Sequence, residues 1–252
     1  MNKVLIYDTD CPLCRVYTKG LVAAGALPNE ALRSNTDITD SQLISQLDPV
    51  RSKHEIPLLD LETGETQYGV DAILTLLGTS WPRFSRFVRE TVLFDVARKC
   101  YAFISYNRRI IVPAPPQRWH LMDLTPDFNA TYRVIFLVLL YAALLVSHLA
   151  AVGHINWLAV GIMAVQFGAA SGYIVRHSTQ TALANSLDYA GHLGMSILIG
   201  GVIKSVGMAL GLPALLMLGT AVMIWQHGIR LRVMNLPDYL NLPFIAAVLL
   251  AY

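Results

Sequence analysis

The chain has 252 residues, 54% of them hydrophobic and 14% charged, with a net charge of +2. That length leaves room for two units, and so apolar a composition excludes an average soluble domain. A near-neutral balance, with no basic block interleaved with aromatics, argues against a nucleic-acid partner.

The charges divide the chain. Up to Pro126 there are 14 Lys/Arg and 14 Asp/Glu; beyond it stand only Arg133, Arg176, Lys204, Arg230 and Arg232 against Asp127, Asp188 and Asp238. The first part therefore reads as a soluble domain and the second as a membrane domain. The N-terminus lacks an apolar h-region and carries Asp8 and Asp10 early, so no signal peptide is expected. Three cysteines are too few for a disulfide scaffold, and a close pair in an intracellular domain points to redox or metal chemistry.

Lys3–Asp8 is a β-branched and aliphatic run, hence a strand. Asp10 is the expected N-cap of the next helix, and Pro12 suits its first turn. Leu13, Tyr17, Leu21 and Ala24 recur at helical spacing until Gly25 and Pro28 end it. Leu32–Asn35 is a second short strand and Ser41–Leu47 a short helix. Ile56–Leu61, the turn Glu62–Glu65 and Thr66–Gly69 form a hairpin, and Val70–Leu77 a helix with Ile73, Leu74 and Leu77 on one face. This β-α-β-α-β-β-α order is thioredoxin-like, with parallel strands first and a closing hairpin. Phe84–Arg109 reads as one or two amphipathic helices, and the prolines at 113, 115 and 116 mark an extended linker.

Val134–Val152, Ile155–Val175, Tyr189–Leu210 and the shorter Leu212–Gln226 are apolar spans, since a crossing takes about 20 residues. Tyr239–Tyr252 is marginal as a fifth. The expected architecture is an α/β thioredoxin-like domain over residues 1–112, a linker over 113–132, and an all-α transmembrane bundle of four or five helices over 133–252. Arg108, Arg109, Arg118 and Arg133 precede the first span, Arg176 follows the second, and Arg230 and Arg232 follow the fourth. The positive-inside rule then places the N-terminal domain in the cytoplasm of a cell bounded by this inner or plasma membrane.

The pair Cys11-Pro-Leu-Cys14 lies where strand meets helix. Metal binding, redox chemistry or no chemistry are the alternatives. A zinc site wants four ligands, usually from a second close pair, and the only other cysteine is Cys100, on an amphipathic helix. Redox chemistry is the better reading. Cys11 at a helix N-terminus is favoured as thiolate by the dipole, with Arg15 adding positive charge. Cys14, one turn deeper, resolves a mixed disulfide, and Asp8 is placed to take its proton. Pro57 sits where a thioredoxin-like domain carries a cis-proline beside the cysteines.

These residues carry a resemblance. "YDTDCPLC" resembles the D-x-x-C-P-x-C signature of the DCC-type thiol-disulfide oxidoreductase family. "IPLLDLETGETQYGVDAILTLL" is similar to that family's proline, hairpin and G-x-x-A-I segment, and "YAFISYNRRIIV" to its closing Tyr…Asn-Arg stretch. The likeness covers about the first 112 residues. It implies disulfide reductase or isomerase-like activity through Cys11 and Cys14, supported by Asp8 and Pro57, with no cofactor and no named substrate. Thr9 departs from the family, which often has Gly there.

The expected partners are a protein or small-molecule disulfide, the lipid bilayer, and a second copy of the chain through the glycine-rich third span. Asn107–Arg109 read as a helix C-terminus or a phospholipid-facing anchor. Interfacial placement accounts for most of the membrane histidines, although His177, His192 and His227 could meet on the inner side. Lys204, inside an apolar span, is costly unless functional or snorkelling outward. Two other readings stay open: a transporter or partner-binding bundle with the cysteine pair as redox sensor, and a quinone- or haem-linked electron donor.

Overall fold

The structure, a computed structural model, describes residues 2–38, 41–114 and 122–251. It forms two compact units, Met1–Phe128 and Asn129–Tyr252.

In the first unit, β1 (Lys3–Tyr7), β2 (Leu32–Ser34), β3 (Pro57–Asp60) and β4 (Thr66–Tyr68) make one mixed sheet in the order β2-β1-β3-β4. β1 pairs parallel with β2 and antiparallel with β3, and β3 pairs antiparallel with β4. β1 is central, and its alternation feeds two cores. Leu5 joins Leu27, Leu58, Ala72 and Leu76 on one face, while Val4 and Ile6 join Ile38, Leu47, Met122 and Leu124 on the other. Met122 and Leu124, expected within the linker, are thus core residues; 115–121 lie outside the described residues.

Helix α1 (Pro12–Ala23) links β1 to β2. It is followed by α2 (Ser41–Ser45) and α3 (Pro49–His54), the latter not foreseen. Asp48 caps α3, its Oδ1 accepting from Val50 N–H and Arg51 N–H at 2.8 and 3.0 Å. After the hairpin come α4 (Gly69–Ser80), α5 (Pro82–Arg89) and α6 (Leu93–Ile111), so the long amphipathic segment is two helices.

The second unit holds α7 (Ala130–Val152), α8 (Trp157–His177), α9 (Ala182–Leu210), α10 (Pro213–Val233) and α11 (Asn241–Leu250). The first four are long and apolar enough to cross a membrane, which is consistent with a membrane protein; α11, in the expected marginal fifth segment, is too short. α9 is the hub. A Cβ at Gly194 would stand 2.7 Å from Leu140 Cδ2 on α7, and one at Gly207 2.7 Å from Leu215 Cβ on α10. Small residues let these helices approach closely, as in membrane bundles.

Candidate functional site

Asp8 follows β1 and is buried. Its Oδ1 accepts the Asp10 N–H at 3.0 Å, an Asx turn that breaks the strand and starts the helix. That turn uses Asp10 backbone and delays the helix by one residue, so Cys11 and not Asp10 is the N-cap. Cys11 Sγ accepts the Cys14 N–H at 3.3 Å, and Pro12 opens α1 as expected. Thr9 donates its N–H (3.1 Å) and its hydroxyl (2.7 Å) to Asn35 Oδ1. It thereby ties the loop to the end of β2, and a glycine would lack the second of these bonds.

Cys11 and Cys14 are 1% and 4% exposed and form no disulfide. A hydrogen bond from the Cys14 thiol lowers the Cys11 thiol to about 7; burial opposes the shift and the nearby Arg108 charge assists it. The same hydrogen bond, together with burial, pushes the Cys14 thiol up. One sulfur is thus set to ionise near neutrality and the other to keep its proton.

Arg108 comes from α6. Its guanidinium stands 3.4 Å from Asp8 Oδ2 and donates to the carbonyls of Lys53 and Leu124. Arg109 lies 3.5 Å from the same carboxylate oxygen. Asn107–Arg109 thus lie in the last turns of α6, the helix C-terminus expected, and the alternative of a lipid-facing anchor gives way to a charge cluster at the cysteine pair. Arg15, expected to supply the positive charge, is exposed on α1. Pro57 opens β3 as foreseen, but all peptide bonds among the described residues are trans, so the cis form is not adopted. The residue before it, Ile56, donates its N–H to Tyr101 Oη at 2.9 Å; burial raises the Tyr101 phenol to about 12.

A cavity of about 540 Å³ opens against Cys14, lined by Leu13, Tyr17, Ile73, Tyr101 and Arg108 among others. Sequence reasoning did not assign Arg108, Tyr17 or Tyr101 to the site. Tyr17 follows Cys14 by three residues and so shares its helical face, while Tyr101 and Arg108 lie within the "YAFISYNRRIIV" stretch. Cys100 is exposed on α6 and takes no part.

The helical unit holds a second polar centre. Gln166 donates to Tyr189 Oη at 2.6 Å, which lies 3.2 Å from His227 Nε2, and His227 Nδ1 lies 2.7 Å from Asn241 Oδ1. Arg230 donates to His192 Nδ1 at 2.9 Å. His192, His227 and Arg230 are buried, so these two histidines, two of the three that could meet, face the interior of the helical unit. His177 is exposed and stacks on Tyr173, apart from them. Arg133 pairs with Asp188 at 3.0 Å. Among the described residues no three His, Cys, Asp or Glu side chains group to hold a metal ion.

Together, a buried dithiol of unequal acidity, a guanidinium beside it and a cavity against one sulfur make a site suited to thiol–disulfide exchange. No family model, no curated protein and no solved structure matches the chain.

Proposed function

We propose that the first unit is a thioredoxin-like, DCC-type thiol–disulfide oxidoreductase, held by the helical unit at a membrane with its active site on the cytoplasmic side. The observation that carries this reading is the buried Cys11–Cys14 pair at the start of α1, Cys11 Sγ accepting the Cys14 N–H at 3.3 Å beside the Asp8–Arg108 ion pair; the Cys11 thiol lowered to about 7 and the Cys14 thiol raised agree with it. The parallel β1–β2 pair and the β3–β4 hairpin support the thioredoxin-like part.

In the reductive direction, Cys11 thiolate attacks one sulfur of a substrate disulfide. The Cys11–substrate bond forms, the substrate bond breaks, and one substrate sulfur leaves as a thiolate that takes a proton from water. Cys14 then loses its proton to Asp8 and attacks Cys11 Sγ. The second substrate thiol leaves, and the pair ends as a Cys11–Cys14 disulfide, two electrons poorer. Arg108 is a positioning residue: its charge favours the thiolate and holds the Asp8 carboxylate in place. Because both sulfurs are buried, attack on a protein disulfide requires the Thr9–Cys11 loop to move.

The test is insulin reduction by the full-length protein in detergent. Turnover is expected to vanish in Cys11→Ala, and Cys14→Ser is expected to accumulate a mixed disulfide. Equal turnover by the wild type and the double cysteine variant would overturn the proposal.

The buried His192–Arg230 and Tyr189–His227 contacts favour a second reading, in which the bundle carries the function and the cysteine pair senses redox state. Ionisable groups inside a span are costly and commonly functional. Under that reading, His192→Phe abolishes the cellular phenotype while the double cysteine variant only alters its redox response.

A further inference from the structure

Helix α5 is turned the wrong way round for a water-facing helix. It buries Ser85 and Val88 and exposes its two phenylalanines, Phe84 by 51% and Phe87 by 57%. Trp81, which leads into it, is 54% exposed, and Val92, which leads into α6, is 79% exposed.

Polar contacts fix this orientation. The Ser85 hydroxyl donates to the Leu74 carbonyl on α4 at 2.7 Å, and α4 comes so close at Gly78 that a Cβ there would stand 3.3 Å from Ser85 Oγ. Arg89 ties the other end of α5 to α4, donating to the Asp71 carboxylate at 2.7 Å and to the Asp71 carbonyl at 2.9 Å. Rotating α5 to hide its rings would break these bonds.

Phe84 and Phe87, three residues apart, share one stripe of the helix. Arg83 and Arg86, each one residue earlier, form the neighbouring stripe about 100° round, and both are exposed. Residues 81–99 carry Arg83, Arg86, Arg89, Arg98 and Lys99 against Glu90 and Asp95, an excess of positive charge.

We propose that this face of the first unit docks on an anionic lipid surface, with Trp81, Phe84 and Phe87 at the level of the headgroups and Arg83 and Arg86 on the lipid phosphates. Aromatic rings favour the membrane–water boundary, and a helix with an apolar stripe beside a basic one lies in that boundary. The guanidinium fork matches a phosphate and forms charge-assisted hydrogen bonds to it. Positive charge selects anionic over zwitterionic lipid. Four helices of the same chain are long and apolar enough to cross a membrane, so a lipid surface is tethered to the first unit at high effective concentration. The proposal rests on the membrane reading of those helices and is independent of the dithiol chemistry.

The experiment places a nitroxide at Phe87→Cys in full-length protein carrying Cys11→Ser, Cys14→Ser and Cys100→Ala. The protein is compared in nanodiscs of phosphatidylcholine and in nanodiscs of equal parts phosphatidylcholine and phosphatidylglycerol. In the mixed bilayer the label is expected to be relaxed by oxygen and shielded from a water-soluble nickel chelate; in phosphatidylcholine alone it is expected to be open to the chelate. Arg83→Gln with Arg86→Gln is expected to lower the docked-to-free ratio in the mixed bilayer by about tenfold or more, since one basic side chain at an anionic surface contributes about fivefold. A second measurement needs no variant. Phenylglyoxal is expected to modify Arg83 and Arg86 of the wild type several-fold more slowly in the mixed bilayer than in phosphatidylcholine, while Arg33, exposed on β2, reacts at the same rate in both. A label open to the chelate in the mixed bilayer, equal protection in the two bilayers, shielding from oxygen and chelate alike as under a protein partner, or unchanged arginine modification would each overturn the assignment.

Discussion

Cys11 is buried, yet its surroundings favour the anion. The largest cause is the hydrogen bond from the Cys14 thiol, and Arg108 adds a smaller electrostatic contribution. An acid lowered to about 7 is half thiolate there, and below that pH the reactive fraction falls about tenfold per unit. Alkylation of Cys11 by iodoacetamide, followed by mass spectrometry in a Cys100→Ala background, is expected to show a midpoint near 7. Cys14→Ala removes the larger cause, so its midpoint is expected to rise the most; Arg108→Gln is expected to raise it less. A midpoint unchanged in Cys14→Ala would mean that the sulfur–sulfur hydrogen bond does not set the acidity. Cys11, Cys14 and Asp8 were legible because all three lie within one strand–turn–helix, where local pattern determines neighbours. Arg108 was not, since it lies 100 residues from Asp8, and helical periodicity does not say which distant face a residue meets. The role of Thr9 shows only once Asn35 is seen beside it, accepting the threonine hydroxyl.

At the scale of elements, the α9–α10 seam is the tightest in the helical unit. A Cβ on Gly200 would collide with the Gly219 carbonyl and with Met223. Gly200→Leu is therefore expected to destabilise the unit by about 1–3 kcal/mol or more, the usual cost of overpacking. The measurement is thermal unfolding in detergent. Gly172→Leu on α8 is the control, because a Cβ there has nothing within 4 Å, and it is expected to leave the unfolding temperature nearly unchanged. Equal behaviour of the two variants would show that the seam is not closely packed. The glycine richness of α9 was visible in the sequence, but its partners were not. Nor was the true length of α10, which a reading by hydropathy stops at Gln226. His227 and Arg230 look like an end to the span, yet both are buried against groups from other helices, so the helix runs on to Val233. Hydropathy counts a polar side chain as exposed and cannot see the partner that satisfies it.

At the scale of the whole molecule, the uneven charge distribution reads as two units; the structure divides at Phe128 and Asn129, within the residues 113–132 read as a linker. How the helices group around α9 was not foretold, because helices apolar on most sides carry little directional signal. Sidedness rests on Lys/Arg placement alone, and the cysteines supply a way to measure it. Cys100 is exposed while Cys11 and Cys14 are buried, so Cys100 is the natural reporter for the first unit. In a Cys11→Ser, Cys14→Ser background, a membrane-impermeant maleimide added to intact cells is expected to leave Cys100 unmodified and to label it after permeabilisation. The turn between α7 and α8 is expected to face the other way. His154 is exposed there, and His154→Cys in a background lacking all three native cysteines is expected to react in intact cells. Labelling of Cys100 from outside, with His154→Cys protected, would invert the topology. The dithiol would then face the outside, where disulfides persist, and the same opposed pair of sulfurs would work as an oxidant of its substrates, with the thiolate of Cys11 as the leaving group that its lowered acidity makes good.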